Sequence, residues 1–378
     1  MAKANPAISV LTHFADLQDF RLERSRLHNL MDIIAIALCA VISGAEGWVD
    51  IEKYGRAKVD WLQTFLQLPN GIPSHDTFRR IFCFLKPEAF LACFQRWVGA
   101  LTEHLKSPFV AIDGKAARRS LDRAAGKAAL HLVSAWATEQ RLVLGQVATE
   151  AKSNEITAIP KLLELLDVSG AMVTIDAMGC QKEIAATIRG GGGDYVLTVK
   201  ENQERLYEDI VACFQKGLET DFEGLQYSYY ADKCQGHGRS ETRQVHTILS
   251  PEGIRDEKLW KDLNAITLVV RERQQGNQEP SLEVHYYIGS RKAKAPIYGR
   301  AIRGHWGIEN GLHWVLDMSF DEDQCRMRTD HSGENFALLR RLGLSLLKQH
   351  DEKEGSIRGK RLQCGWSDSF LVQVVSGQ

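Results

Sequence analysis

Two apolar segments of strand length, each closing on an aspartate, constrain the fold of this chain more than any other feature. FVAID ends at Asp113 and AMVTID ends at Asp176. Between them, residues 129–149 predict two strands joined by a tight turn, and residues 153–168 predict a helix. Beyond Asp176 come a helix, a strand at residues 194–200 and a further helix. This order predicts a mixed α/β sheet with a parallel component and an antiparallel edge.

The sequences before and after this region differ from it in the spacing of their apolar residues. Residues 1–105 carry apolar residues at helical spacing and predict an N-terminal helical domain, a candidate for DNA binding. Residues 106–350 form the predicted α/β domain, in which residues from about 220–295 predict a β-rich insertion. Residues 351–378 form a C-terminal tail that the pattern does not assign to any element. A chain of 378 residues exceeds the usual size of one compact core, which agrees with this division.

Composition excludes several classes of protein. The net charge of the whole molecule is −1, which does not by itself indicate a nucleic-acid partner. The eight cysteines never occur as Cys-x-x-Cys, which argues against a zinc ribbon and against a disulfide scaffold. The longest apolar run, residues 30–42, is too short to span a bilayer and contains Asp32, and the N-terminus lacks the pattern of a secretory signal. We therefore expect a cytoplasmic protein without a membrane partner.

The stretch GHWGIENGLHWVLDM spaces four polar side chains at intervals of four residues: His305, Glu309, His313 and Asp317. This spacing suits one face of a helix, which could be a metal site, a catalytic carboxylate with its neighbours, or a solvated face. Zinc bound by both histidines is disfavoured, because eight residues of helix separate their backbones by ~12 Å while zinc–nitrogen bonds are only about 2 Å long. The other two interpretations stay open at this point.

The two strand-end aspartates suggest a metal site of another kind. In open α/β sheets, active sites lie at the carboxyl ends of the strands. Two carboxylates on neighbouring strands repel each other unless a cation lies between them. With a third carboxylate from a helix packed over the sheet, the oxygen ligands would favour Mg²⁺ or Mn²⁺. Two such ions can promote phosphodiester cleavage. The alternative, an aspartate that only forms the turn after its strand, stays open for Asp113 and Asp176 alike.

Basic residues add a nucleic-acid interpretation. A loop with two prolines leads to Ser74, a good helix N-cap, and the helix that follows carries Arg79 and Arg80. Helix, turn and arginine-bearing helix resemble a DNA-reading element, although a helical bundle with a polar turn explains the same pattern. For the cations near the acids, phosphate contact and solvated surface are both possible. These cations are Lys115, Arg118, Arg119, Arg300 and Arg303.

Six stretches in order along the chain carry a family resemblance. They are AIDGKAARRS, EAKSNEITAIPKLL, VTIDAMGCQKEIA, GGDYVLTVKENQ, HGRSETR and HWGIENGLHWVLDMSFDEDQCRMR. They resemble the H-repeat-associated transposases of bacterial insertion sequences, which are DDE transposases with an RNase H-like core. The resemblance covers nearly the whole chain. It implies an RNase H-like mixed sheet flanked by helices, with a β-rich insertion and an N-terminal transposase-associated helical domain.

The same resemblance implies an activity and its residues. The catalytic, metal-binding triad would be Asp113, Asp176 and Glu309, with Mg²⁺ or Mn²⁺ as the cofactor. The reaction would be phosphodiester cleavage at the ends of the element, followed by strand transfer to target DNA. The partner would be double-stranded DNA, with His305 helping to position either the DNA or the carboxylate. Because two ends must be joined, we expect a homodimer or a larger assembly on DNA.

The motif around the last acid departs from the wider group of DDE transposases. That group carries an arginine four residues before the glutamate and a lysine seven residues after it, where this chain has His305 and Leu316. The hairpin pathway of some relatives is therefore not transferred to this chain. Three rivals remain: a catalytically inactive DNA-binding relative, a plain RNase H-like nuclease, and a zinc hydrolase built on His305, Glu309 and His313. The acidic run before Arg326 and Arg328 has no assigned role.

Overall fold

The computed structural model describes residues 9–102, 108–121, 128–149, 154–236, 239–276, 279–350 and 355–376. Helices dominate the part before residue 105, as the spacing of apolar residues predicts. Ser74 caps the helix that carries the paired arginines, because its side chain accepts a hydrogen bond from the backbone N–H of Thr77. These N-terminal helices are α1 (Ser9–Thr12), α2 (Leu30–Ile42), α3 (Trp48–Ala57), α4 (Val59–Leu62), α5 (His75–Phe84) and α6 (Pro87–Thr102).

Helix α2 is the centre of this N-terminal part. All of its residues except Met31 are buried, as expected of a helix that is apolar on every side. The segment Glu23–Ile42, which includes α2, is long and apolar enough to cross a membrane by length and composition, but 67% of it is buried inside the protein. The 13 residues of α2 span only about 20 Å, which is short of the ~30 Å of a bilayer core.

One nine-stranded sheet runs through the rest of the chain, in the order β3-β2-β1-β4-β5-β9-β8-β7-β6. Strands β1, β2 and β3 pair antiparallel, whereas β4 and β5 continue the sheet parallel to β1. Three antiparallel strands followed by two parallel ones form the RNase H-like core that the resemblance implies. The core strands are β1 (Phe109–Ala117), β2 (Leu130–Ala137), β3 (Leu142–Ala148), β4 (Met172–Ile175) and β5 (Asp194–Val199).

The β-rich segment lengthens this sheet instead of forming a body of its own. Its last strand pairs antiparallel with β5, and the other three follow outward as antiparallel neighbours. All four lie within the stretch that the alternating pattern predicts to be β-rich. They are β6 (Gln226–Gly236), β7 (Arg239–Leu249), β8 (Ala265–Gln275) and β9 (Ser281–Gly289).

Helices cover both faces of the core sheet, and the alternation along β1 shows which side faces which helices. Val110 and Ile112 belong to the apolar cluster shared with α7 (Glu155–Glu164), α8 (Lys182–Gly190) and α9 (Glu204–Glu219). Phe109 faces the other way and packs with Tyr298 of α10. This second face is covered by α10 (Ala295–Ile308), a π-helical turn (Glu309–His313), α11 (Trp314–Phe320) and α12 (Ser332–Gln349).

The C-terminal residues, which the sequence pattern left unassigned, form two helices, α13 (Ile357–Trp366) and α14 (Asp368–Ser376). Their buried side chains, such as Leu371, belong to the same apolar cluster as α2 and α12. An ion pair of 2.7 Å between Lys58, in the N-terminal part, and Asp368 of α14 links the two parts at the surface. The N-terminal helices therefore share one core with the helices that follow residue 330.

Candidate active site

Asp113 and Asp176 occupy matching positions just beyond the parallel pairing of β1 with β4. Asp113 lies within β1, whereas Asp176 directly follows β4. Ala111 of β1 is paired in register with Thr174 of β4, and each aspartate lies two residues further along its strand direction. Because side chains alternate between faces, both aspartates project from the face of Ala111 and Thr174, which α10 covers. Adjacent strands are about 4.8 Å apart, so the two carboxylates start from neighbouring backbone positions.

A backbone N–H near in the chain holds one oxygen of each aspartate. One carboxylate oxygen of Asp176 accepts hydrogen bonds from the backbone N–H groups of Met178 (3.1 Å) and Gly179 (3.2 Å), so its turn-forming role holds. One oxygen of Asp113 accepts from the N–H of Gly114 at 2.9 Å. The predicted strand end at Asp113 is wrong, because β1 continues to Ala117 and stays paired with β2. Each contact occupies one carboxylate oxygen and is compatible with a metal site.

Glu309 lies between two histidines that contact these strands. His305 Nδ1 is 3.0 Å from Thr174 Oγ1 on β4, and His313 Nδ1 is 3.4 Å from Asp113 Oδ2 on β1. Glu309 is halfway between them in the chain, at the first residue of the π-helical turn. The predicted uniform helix over this stretch is therefore interrupted, and π-helical turns of this kind occur frequently at functional sites.

Glycines allow this helix to approach the sheet closely. A Cβ atom at Gly304 would lie 3.0 Å from Thr138 Cγ2, and one at Gly311 would lie 3.2 Å from Trp136 Cζ2. Both distances are shorter than ordinary contacts, so a larger side chain would push the helix away from β2. The small residues in the motif thus set the distance between this helix and the end of β2.

The electrostatics of this region favour a cation. Burial, the nearby charge of Glu155 and then the charges of Asp176 and Glu309 raise the pKa of Asp113 to about 7. Burial also raises the pKa of Glu309. The two histidines, His305 and His313, do not neutralise the negative charge of these acids. Burial lowers the pKa of His305, and burial together with Arg341 lowers the pKa of His313 to about 3, so both rings are neutral near pH 7.

The raised pKa of Asp113 predicts a specific pH dependence of stability in metal-free protein. The folded state keeps a proton that the unfolded chain releases between about pH 4 and 7, so stability falls as pH rises through this window. We expect a loss on the order of 2–4 kcal/mol from pH 5 to 8, measured by urea unfolding with a chelator. Asp113→Asn should flatten this fall. Parallel curves for the variant and the wild type would contradict the assignment.

Glu155 is a fourth acid of this region, and the sequence interpretation did not single it out. It begins α7 on the opposite face of the sheet and forms an ion pair of 2.8 Å with His131. A Cβ atom at Gly114 would lie only 2.1 Å from Glu155 Oε1. The glycine after Asp113 therefore makes room for this carboxylate. The signal was present, since Glu155 belongs to one of the six family stretches.

The described residues contain no ready-made metal cage. Among them, no three His, Cys, Asp or Glu side chains converge closely enough to hold one ion as they stand. The zinc interpretation fails on the same ground, because His305 and His313 turn to different strands. The chemistry of the donors still suits a hard cation, since the half-buried carboxylates of Asp113 and Asp176 lie on neighbouring strands beside neutral histidines. Binding an ion would require the carboxylates to move toward it.

Lys115 corrects one prediction from the sequence. Its side chain is only 10% exposed, and its ammonium lies 2.6 Å from Asp317, 3.1 Å from Asp323 and 3.7 Å from Glu322. Three acids from α11 and the following turn thus neutralise a cation that was expected to contact phosphate. Lys115 instead joins the strand of Asp113 to the element after Glu309.

The predicted arginines remain at the surface. Arg118 is 84% exposed and reaches Asp323 at 3.5 Å. Arg303 forms an ion pair of 2.7 Å with Asp232 and lines a cleft of about 440 Å³ next to Glu309, together with Arg271 and Trp306. The other exposed arginines of the prediction are Arg79, which lies 3.4 Å from Asp76, Arg80, Arg119, and Arg300, which lies 5.9 Å from the ring of Phe109.

Comparison with known proteins gives the family. A model described as "Transposase DDE domain" matches residues 104–346, and one described as "DDE_Tnp_1-associated" matches residues 11–98. YhhI of Escherichia coli (strain K12), named as an H repeat-associated transposase, is 37% identical over 97% of this chain and 98% of its own length. YncI of Escherichia coli O157:H7, also named as a transposase, is 37% identical over 97% of this chain and 94% of its own length.

A solved structure gives a much weaker likeness. The cryo-EM structure of a piggyBac transposase synaptic complex with hairpin DNA covers 98% of this chain and 79% of that chain, with a TM-score of 0.43 and 11% identity. This likeness is too low to carry an argument about the site. The family models and the relatives suffice without it. The chain belongs to the DDE transposases of bacterial insertion sequences, in their H-repeat-associated family.

Proposed function

We propose that Asp113, Asp176 and Glu309 bind the divalent ions, Mg²⁺ or Mn²⁺, with which this transposase cuts the ends of its element and joins them to target DNA. The family generally uses divalent metal. The observation that carries the assignment is the position of Asp113 and Asp176 on neighbouring parallel strands, under the helix in which His305 and His313 contact those strands on either side of Glu309. The raised pKa of Asp113 agrees with it. Such a cluster gains most from a cation.

The residues of the chain would orient the reacting groups. When bound, the ions activate the attacking oxygen and stabilise the leaving oxygen of a phosphodiester. Asp176 is held by its turn, and Asp113 is held by the N–H of Gly114 and by the contact with His313, which keeps both carboxylates in place. His305, tied to Thr174, orients the helix of Glu309 through a hydrogen bond instead of contributing a charge.

Exposed arginines would hold the DNA. On this proposal, cations on both sides of the acids contact backbone phosphates, while Arg79 and Arg80 of α5 contact the terminal repeats. Lys115 is left out, because three acids already surround it. A homodimer or larger assembly would bring two ends together in the bacterial cytoplasm. The arginines near the acids are Arg118, Arg119, Arg300 and Arg303.

Metal binding tests the assignment without relying on activity. Mn²⁺ titration followed by electron paramagnetic resonance should show weaker binding in Asp113→Asn and Glu309→Gln than in the wild type. Each variant removes one negative oxygen ligand, and we expect roughly a tenfold loss of affinity or more. Glu219→Gln, an exposed acid at the end of α9, is the matched control and should bind Mn²⁺ normally. Unchanged Mn²⁺ affinity in both site variants would refute the assignment.

A further inference from the structure

The segment after α11, residues 321–328, has acidic side chains that point inward and basic side chains that point outward. Glu322 and Asp323 turn inward to Lys115, which accounts for the acidic half of a motif that the sequence left without a role. The basic half turns outward. Arg326 is exposed and Arg328 is half-buried, and both line a cleft of about 430 Å³. The acids fix the segment in place, and the arginines are thereby presented at the surface.

Four arginines from three parts of the chain meet in this cleft. Arg79 comes from α5, Arg326 and Arg328 come from the segment after α11, and Arg340 comes from α12. We call this site the arginine cleft. Two carboxylates, those of Glu46 and Asp321, also line it, which leaves an excess of positive charge.

Arg340 points most directly to an anion. Its side chain is 2% exposed, and among the residues that the structure describes no carboxylate forms an ion pair with it. Its recorded contact is the ring of Phe336, with the guanidinium carbon 4.5 Å from the ring centroid. The charges of Glu46 and Glu322 act on this guanidinium from beyond ion-pair distance. A phosphate in the cleft would add a direct partner to a charge that is otherwise costly to bury.

The cleft adjoins the strand that carries Asp113. Arg328 Nη2 donates a hydrogen bond of 3.1 Å to the backbone carbonyl of Arg119. Arg119 lies in the turn that directly follows β1. On its other side the cleft includes Arg79 of α5, the helix with the paired arginines. A series of positive charges therefore runs from α5 past the arginine cleft to the end of the catalytic strand.

We propose that the arginine cleft binds backbone phosphates of the duplex DNA on which this transposase acts. The proposal rests on the assignment of the catalytic acids only in that it places the bound duplex beside Asp113. Duplex DNA fits better than a small anion, because arginines continue on both sides of the cleft, toward α5 and toward the end of β1, where a single phosphate would not reach them. Arginine forks suit phosphate oxygens in geometry as well as in charge.

The test compares charge-removing variants in chelator-containing buffer. Arg326→Gln changes an exposed side chain, so folding should be preserved, and melting temperatures will check this. We expect roughly a tenfold loss of affinity for a duplex carrying one end of the element, and a slope of log affinity against log salt that is smaller by about 1. Arg79→Gln should act similarly. The control is Arg205→Gln, an exposed arginine on α9 across the sheet, which should leave both values unchanged.

Phosphate neutralisation makes the test specific. Methylphosphonates placed singly along the duplex should reveal a position whose neutralisation weakens the wild type but not Arg326→Gln, because the partner charge is already missing. An unchanged salt slope in Arg326→Gln and Arg79→Gln would overturn the proposal. It would also be overturned if every methylphosphonate weakened DNA binding by the wild type and by Arg326→Gln to the same extent. The measurement needs no metal. It therefore separates failure of the arginine cleft from failure of the metal assignment, which the Mn²⁺ titration reports.

Discussion

The Asp176→Asn variant will lose metal-dependent cleavage of the element's end by about a thousandfold, since a metal ligand contributes several kcal/mol to the transition state. Asparagine keeps the size of the side chain and an oxygen that can accept from Met178 and Gly179, so the turn is preserved. Its affinity for the same DNA should stay within about twofold, because affinity rests on phosphate contacts elsewhere. Gel assays with Mg²⁺ and fluorescence anisotropy measure the two quantities.

A second aspartate of the chain offers a matched control. Asp167 also accepts a hydrogen bond from the backbone two residues on, the N–H of Ser169 at 3.0 Å, but it is exposed. Asp167→Asn should cleave normally. Full activity in Asp176→Asn would rule out its role as a metal ligand. A donor end with a free 3′-hydroxyl then separates strand transfer from plain cleavage in the wild-type protein.

The Arg341→Met variant will lose about 3–5 kcal/mol of stability, the usual cost of removing one partner of a buried ion pair. Arg341 is fully buried and lies 2.7 Å from Glu322, which is 2% exposed. Arg341 also reaches Ser134, the residue opposite Asp113 in the sheet. Without the guanidinium, Glu322 would be a buried charge whose remaining ion pair, among the described residues, is with Lys115 at 3.7 Å. Urea unfolding gives the free energy.

Two comparisons check this interpretation. Arg56→Gln removes an exposed partner of Glu52 and should cost no more than about 1 kcal/mol. The double variant Arg341→Met, Glu322→Leu removes both charges and should be more stable than Arg341→Met alone. If the double variant were the less stable of the two, the loss in Arg341→Met would come from packing and not from an orphaned charge.

The arrangement of the catalytic core was accessible from the sequence, since it depends on local patterns. Strand-length apolar segments before Asp113 and Asp176 predicted two parallel strands, and alternation predicted the four strands of the β-rich segment. The end of the second strand was right, but β1 continues past Asp113 to Ala117, because its pairing with β2 extends further than its apolar run. The helical spacing around Glu309 predicted the element that carries it. These signals are local, and short segments of strong periodicity keep their structure in most contexts.

The remainder depends on contacts between distant parts of the chain. Lys115 looked like a surface cation because the acids that surround it lie about two hundred residues away in sequence. The π-helical turn at Glu309 has no periodicity of its own, so the spacing predicted an uninterrupted helix. Glu155 belongs to one of the six family stretches, but its place beside Gly114, on the far face of the sheet, depends on the tertiary fold. None of these features has a local signature.

The shared core of α2, α12, α13 and α14 has a consequence for biosynthesis. Helix α2 leaves the ribosome more than 300 residues before α13 and α14, which supply part of the apolar surface that covers it. The nascent chain must therefore keep α2 protected, by chaperones or by transient collapse, until those helices are made. A stop codon ahead of Ile357 would leave α2 incompletely covered and the product prone to aggregation. Such a truncation would thus silence a copy of the gene even with Asp113, Asp176 and Glu309 intact.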